Sequence, residues 1–204
     1  MILSNVEIHR ALDEGRLVLD PEPSPRLPSP SLDCPYQTTA VDLRLGIEIS
    51  YLKRNLAIDI NLGQGSFANL FGPNSDRQTL SDEQPFVLKP NRFVLGRTHE
   101  RVALPLLPDG QCLAARVEGK SSFARCGLLI HFTAPTIHCG FDGHIALELC
   151  NLGPANISLY PMKPICQLII ETVIGVPFRN DSQFQGQRAP GGNIRTGCGS
   201  RSSC

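Results

Sequence analysis

The sequence predicts a mainly β domain, an antiparallel barrel or distorted jelly roll with one short helix at its N-terminus. Three observations carry this. From residue 38 onward the apolar residues come in short runs broken by Pro, Gly, Asn and Asp. Two of these runs, residues 41–45 and 144–149, alternate apolar with polar, the period-two signature of a strand with one face inward. Helical periodicity is almost absent beyond the first residues, and many short strands at roughly even spacing suit a barrel or jelly roll.

The elements follow in order. Ser4-Asn5-Val6-Glu7 has the form of a capping box, with a hydroxyl at the N-cap and a carboxylate three residues later. Val6, Ile8, Ala11 and Leu12 give a partly apolar face and Gly15 a stop, so a helix is expected over about residues 4–14. Leu17-Val18-Leu19 reads as a short strand. Residues 21–36 hold six prolines, which neither a helix nor a central strand tolerates, and form an extended connector. Further short strands are expected around residues 86–88, 93–95, 113–117, 128–130, 157–160 and 167–170. Residues 62–82 are polar and rich in Gly, Ser and Asn, and read as a long loop. The apolar signal fades after Gly175. Residues 1–175 therefore make one β domain, 176–190 a mobile segment and 191–204 a disordered tail.

Composition limits the function. Lys+Arg and Asp+Glu are both 19 in 204 residues, so no global field draws the chain to nucleic acid or an anionic membrane. No apolar run reaches the roughly 18 residues a membrane helix needs. The N-terminus lacks the basic and long apolar regions of a signal peptide, and the expected compartment is the cytoplasm. Eight cysteines stand singly with no C-x-x-C pair. Reduced thiols, mostly small core residues, are expected.

Chemistry concentrates between Gly119 and Gly127. Lys120, Ser121, Ser122 and Arg125 place two cations and two hydroxyls between two glycines, a set that suits a phosphate and equally a solvated polar turn. Glu148 lies in an otherwise apolar strand. Facing inward it would be a candidate general base, but plain alternation points it outward with His144 and Ala146. His131, His138 and His144 lack the spacing of a metal site, and neither His-x-Glu nor Pro-Cys-x-x-Cys of the zinc deaminases occurs. Residues 183–190, with an aromatic, a glycine, three glutamines and an arginine, form a segment able to close over a ligand.

In order, these segments resemble the dCTP deaminase family of the dUTPase-like superfamily. Gly119-Lys120-Ser121-Ser122-Phe123-Ala124-Arg125-Cys126-Gly127 resembles its G-R-S-S-x-[AG]-R-x-G. Gly143-His144-Ile145-Ala146-Leu147-Glu148-Leu149 resembles its G-x-I-x-L-E strand, and residues 182–190 its S-K-Y-Q-G-Q-R-G-P lid. The likeness also covers residues 1–16, 39–46 and 161–168.

The resemblance implies a distorted dUTPase-like jelly roll, a homotrimer with sites between subunits, and zinc-free deamination of dCTP to dUTP and ammonia, with Mg²⁺ carried by the triphosphate. Glu148 would be general base and acid in a buried strand. Ser121 and the Ala134 backbone would hold the water, and Arg125 would orient Glu148. Lys120, Ser122 and Gln187 would hold phosphates, with Gln167, Ala146 and Leu147 as further substrate contacts. Departures stand at His138, where the family has an Asp on the deoxyribose, at Gln183-Phe184 for Lys-Tyr, at Phe178 for a Tyr, and at Lys120 for Arg. The missing Asp argues against a further diphosphatase step. The altered triphosphate contacts leave a catalytically weak nucleotide-binding trimer as the competing expectation.

Overall fold

The computed structural model describes residues 1–53, 67–108, 110–132 and 134–179. Helix α1 (Asn5–Asp13) begins at Ser4, whose Oγ accepts from the Glu7 amide at 3.4 Å. It buries Ile8 and Ala11, as its amphipathic spacing requires. Strand β1 (Val18–Asp20) follows, and after the proline-rich connector come β2 (Val41–Arg44) and β3 (Glu48–Leu52). Helix α2 (Phe67–Asn74), β4 (Ser75–Thr79), β5 (Phe86–Leu88) and the long β6 (Phe93–Ala103) lead to β7 (Leu113–Gly119). The one-turn α3 (Ser121–Ala124), β8 (Leu128–Ile130), β9 (Thr136–Ile137), β10 (Asp142–Asn151), β11 (Ile157–Leu159) and β12 (Pro164–Thr172) complete the order.

All strand pairs are antiparallel. One sheet runs β4-β3-β6-β10-β8 with β1 also on β6, a second runs β2-β12-β7-β9, and β11-β5 forms a third. They enclose a single core that includes Leu43, Leu45, Leu88, Val102, Leu113, Leu147, Leu149 and Leu168. The expected mainly β jelly-roll architecture is present, but the sheets do not close into a continuous barrel. The two larger sheets meet through an isolated bridge, Leu45 to Thr98, in place of a full ladder.

Two stretches differ from expectation. Within the supposed loop of residues 62–82, α2 and β4 form, and β4 pairs with β3 over five positions. Its Ser-Asp-Arg-Gln-Thr sequence shows no apolar alternation because it is an edge strand whose side chains stay largely in solvent. Strand β6 extends eight residues past the apolar Phe93-Val94-Leu95 run. There Thr98 and Glu100 take buried positions that a hydropathy pattern assigns to apolar residues. Both are satisfied locally: Thr98 Oγ1 donates to the Glu100 carbonyl at 2.7 Å, and Glu100 accepts from the Arg44 amide and Nε at 2.9 and 2.6 Å. The expected segment 176–190 is described only to residue 179, and the tail from 191 lies outside the described residues.

Candidate active site

Strand β10 alternates cleanly. Ile145, Leu147 and Leu149 are buried in the core, while His144, Ala146 and Glu148 stand half-buried on the opposite face. The buried setting that the resemblance implied for Glu148 is therefore corrected to the outward side, because the flanking aliphatic residues take the core. Leu147, with 0% exposure, can offer a ligand only its backbone.

The turn after β8 wraps around Glu148. The His131 amide donates to the Glu148 carbonyl at 3.0 Å, and the Phe132 amide donates to Glu148 Oε2 at 3.1 Å. The other carboxylate oxygen takes part in no hydrogen bond among the described residues, so one oxygen is fixed and one is available. His131 holds a positive φ of 63°, which aims the following amide back at the strand. Its imidazole is pushed below the ordinary histidine value by burial, with the Glu148 charge and a backbone hydrogen bond to the Ala134 carbonyl opposing. Its Nδ1 is buried without a partner among the described residues. The Phe132 ring meets Phe93 edgewise at 6.0 Å between centroids, an apolar rim beside the carboxylate.

The second group gathers beside β8, and its start at Gly119 faces Ile130: a Cβ built on Gly119 would lie 3.9 Å from the Ile130 Cβ. Gly119 ends β7, and the Lys120 carbonyl accepts from the Phe123 and Ala124 amides at 2.9 and 3.0 Å, starting α3. Ser121, Ser122 and Arg125 are exposed around this turn. Gly127 closes it at φ +88° in direct backbone contact with Gly153. Lys120 Nζ donates to Asp42 Oδ2 at 2.5 Å and Gln167 Nε2 to Asp42 Oδ1 at 2.9 Å. Behind them Cys166 is fully buried. Burial first, then the Glu100 and Asp42 charges, push its thiol far above the ordinary value, which makes it inert.

The structure thus brings Ala134 beside His131, which itself packs on Glu148, and Lys120 beside Gln167, and within one chain it sets only the far end of the loop, Arg125 to Gly127, away from Glu148. Register places residue 131 against Glu148 and Leu128 against Asn151, so Leu128, where the loop ends, stands about 10 Å along the strand from residue 131. No hydrogen bond or ion pair joins Arg125 to Glu148 among the described residues. His138 is exposed in the turn after β9, Phe178 is exposed near the end of the described chain, and Gln183 and Gln187 lie outside the described residues.

Asp42, His131 and Phe132 escaped the sequence reading as site residues. Asp42 sits in an alternating strand that assigns it to solvent, and its burial comes from Lys120, 78 positions away. His131 drew attention only as a metal ligand, and its backbone geometry has no sequence signal. Among the described residues no group of three or more His, Cys, Asp or Glu is arranged to hold a metal ion. No helix among them is long and apolar enough to cross a membrane.

A family model described as dCTP deaminase-like matches residues 2–173. The chain is 34% identical over 195 residues to a protein of Methanosphaera stadtmanae named dCTP deaminase, dUMP-forming, covering 93% of this chain and 91% of that one. It is 37% identical to a protein of Natronomonas pharaonis named dCTP deaminase, covering 93% and 92%. Among solved structures, the 2'-deoxycytidine 5'-triphosphate deaminase from Agrobacterium tumefaciens matches with a TM-score of 0.56 at 20% identity. That match covers 83% of this chain and 47% of that chain, about half its length, and speaks for the fold.

Proposed function

This chain belongs to the dCTP deaminase-like family, and from that premise we propose that it hydrolyses dCTP to dUTP and ammonia, with Glu148 as general base and acid. The observation that carries the reading is the presentation of Glu148. One carboxylate oxygen is held by the Phe132 amide, and the other faces outward from a rigid strand. Water attacks C4 of the cytosine while Glu148 accepts its proton. The carboxylic acid then delivers that proton to N3, and Glu148 carries the second proton from the C4 hydroxyl to the amine, so that the tetrahedral centre collapses to the C4 carbonyl with loss of ammonia. The base must act at neutral pH without becoming locked to a cation. An outward carboxylate with one free oxygen meets that need. Neutral His131 beside it adds no positive charge that would hold the proton off the acid.

The lack of an Arg125–Glu148 contact among the described residues of one chain suggests a homotrimer in which one chain supplies Glu148 and Ala134 and its neighbour supplies Ser121, Ser122 and Arg125. Mg²⁺ enters as part of the substrate, bound to the triphosphate. The product is assigned as dUTP, although the Methanosphaera relative is named dUMP-forming. Cleavage of the phosphoanhydride calls for a carboxylate where the resemblance places His138, and an imidazole cannot replace it in that role.

The test is ammonia release and nucleotide chromatography with dCTP and Mg²⁺, beside CTP, dCMP and dUTP. Conversion of dCTP to dUTP is expected, and Glu148→Gln should lower it by about 10³-fold while dCTP binding changes little. Product appearing only as dUMP overturns the reading of His138. Binding without turnover of any nucleotide replaces the enzyme with a nucleotide-binding trimer.

A further inference from the structure

Asp42 is a buried carboxylate beside the loop of the candidate site. Its side chain is 7% exposed and both oxygens are engaged, one by Lys120 Nζ and one by Gln167 Nε2. Its partners come from different parts of the chain. In the sheet, Asp42 of β2 lies opposite Gln167 of β12, which lies opposite Glu118 of β7. Strand β7 ends one residue before Lys120. The ammonium therefore reaches back across its own sheet, and the residue it belongs to starts α3 through its carbonyl. Fixing Lys120 at both backbone and side chain fixes the origin of the loop that carries Ser121, Ser122 and Arg125.

We propose that Asp42 is a positioning residue for triphosphate recognition, holding Lys120 and Gln167 in one arrangement so that the phosphate loop is formed before the nucleotide arrives. This rests on the deaminase reading for the identity of the nucleotide, but not for the presence of a triphosphate site. An ammonium has three N–H donors. One is committed to Asp42, and the other two remain for phosphate oxygens without the carboxylate being released. Gln167 likewise keeps a second N–H and its amide oxygen. A flexible lysine alone is a poor phosphate ligand because its rotamers must be frozen on binding, and the Asp42 tether meets that cost in folding. The role matters more for a lysine than for an arginine, whose planar fork is preorganised.

The experiment compares binding of dCTP, deoxycytidine and inorganic tripolyphosphate, each with Mg²⁺, to the full chain and to Asp42→Asn by titration calorimetry, alongside steady-state kinetics. Asp42→Asn is expected to weaken dCTP and tripolyphosphate about tenfold and deoxycytidine less than twofold, with KM raised and kcat nearly unchanged. Equal losses for all three ligands would show a merely structural residue. Tighter tripolyphosphate binding would show that Asp42 only competes for Lys120. The double variant Asp42→Asn with Lys120→Met leaves no unpaired buried charge, and guards against an Asp42→Asn protein that does not fold. It should bind tripolyphosphate no more than about twofold more weakly than Lys120→Met alone, and a further tenfold loss overturns the proposed route through Lys120. A wild-type chain that binds tripolyphosphate with this pattern but turns over no dCTP refutes the deaminase reading and leaves this one standing.

Discussion

Gly127 closes the loop that carries Ser121, Ser122 and Arg125, and its replacement gives a test that depends on geometry alone. A Cβ built there would lie 2.3 Å from the Gly153 nitrogen and 2.5 Å from its Cα, and φ is +88°. Both obstacles are backbone, so no side chain can rotate away. Gly15 is the control, since its φ is +69° but nothing lies within 4 Å of a Cβ. Gly15→Ala carries only the left-handed penalty, about 1 kcal/mol. Gly127→Ala carries that penalty and a forced backbone displacement worth a further 1–3 kcal/mol or so, giving about 3 kcal/mol in all. For a domain of this size each kcal/mol lowers Tm by about 2–4 °C, so Gly15→Ala should fall by about 3 °C and Gly127→Ala by about 9 °C. Urea denaturation with unchanged m-values and calorimetry would measure both. Equal shifts for the two variants would refute the claim that Gly127 and Gly153 are locked together. The loop must also move to admit the methyl, so Gly127→Ala should weaken nucleotide binding while Gly15→Ala leaves it unchanged.

Two further outcomes follow from the geometry. Mixing Arg125→Ala with Glu148→Gln chains, each inactive alone, should restore about a quarter of wild-type activity if every site joins two chains of a randomly mixed trimer; failure to recover any activity places both residues in one subunit's site. His131, His99 and His144 are all pushed below the ordinary histidine value of about 6.5, each mainly by burial, with Arg97 adding to the effect at His144. The unfolded chain therefore binds more protons in mildly acid solution. Stability from these groups is full above about pH 6.5 and is lost as pH falls toward their folded values. A Tm unchanged between pH 7.5 and 5.5 would contradict this, and His131→Asn should flatten part of the slope.

What the sequence makes legible is what repeats locally. The capping box at Ser4 and Glu7 is realised as a hydrogen bond across three residues. The alternation of residues 144–149 is realised as an aliphatic core face and a half-buried polar face. These signals are carried within a few residues, so one dimension is enough to read them. Strand β4 and the second half of β6 were hidden because their burial is decided by neighbours. An edge strand keeps polar residues, and Glu100, with 0% exposure, is tolerated in the interior because Arg44 reaches it from 56 positions away. No window of sequence contains both partners.

The same division explains why the site was legible only in halves. The loop around Lys120 and the strand around Glu148 each announce their chemistry by composition, but not how that chemistry is organised. Asp42 shows the difference most clearly. As a polar residue in an alternating strand it belongs on the solvent face, and the structure does put it on the same side as Gln167, across from Leu43 and Cys166. What removes it from water is the arrival of Lys120, and that arrival turns an unremarkable surface carboxylate into the fixed point of the loop. The loop and the Glu148 strand supply the groups proposed to touch a nucleotide; in the proposal for Asp42, a carboxylate on a different strand supplies the geometry that holds two of them together. The search for what controls affinity in this chain therefore belongs at the partners of Lys120 and Gln167 before it belongs at their replacements.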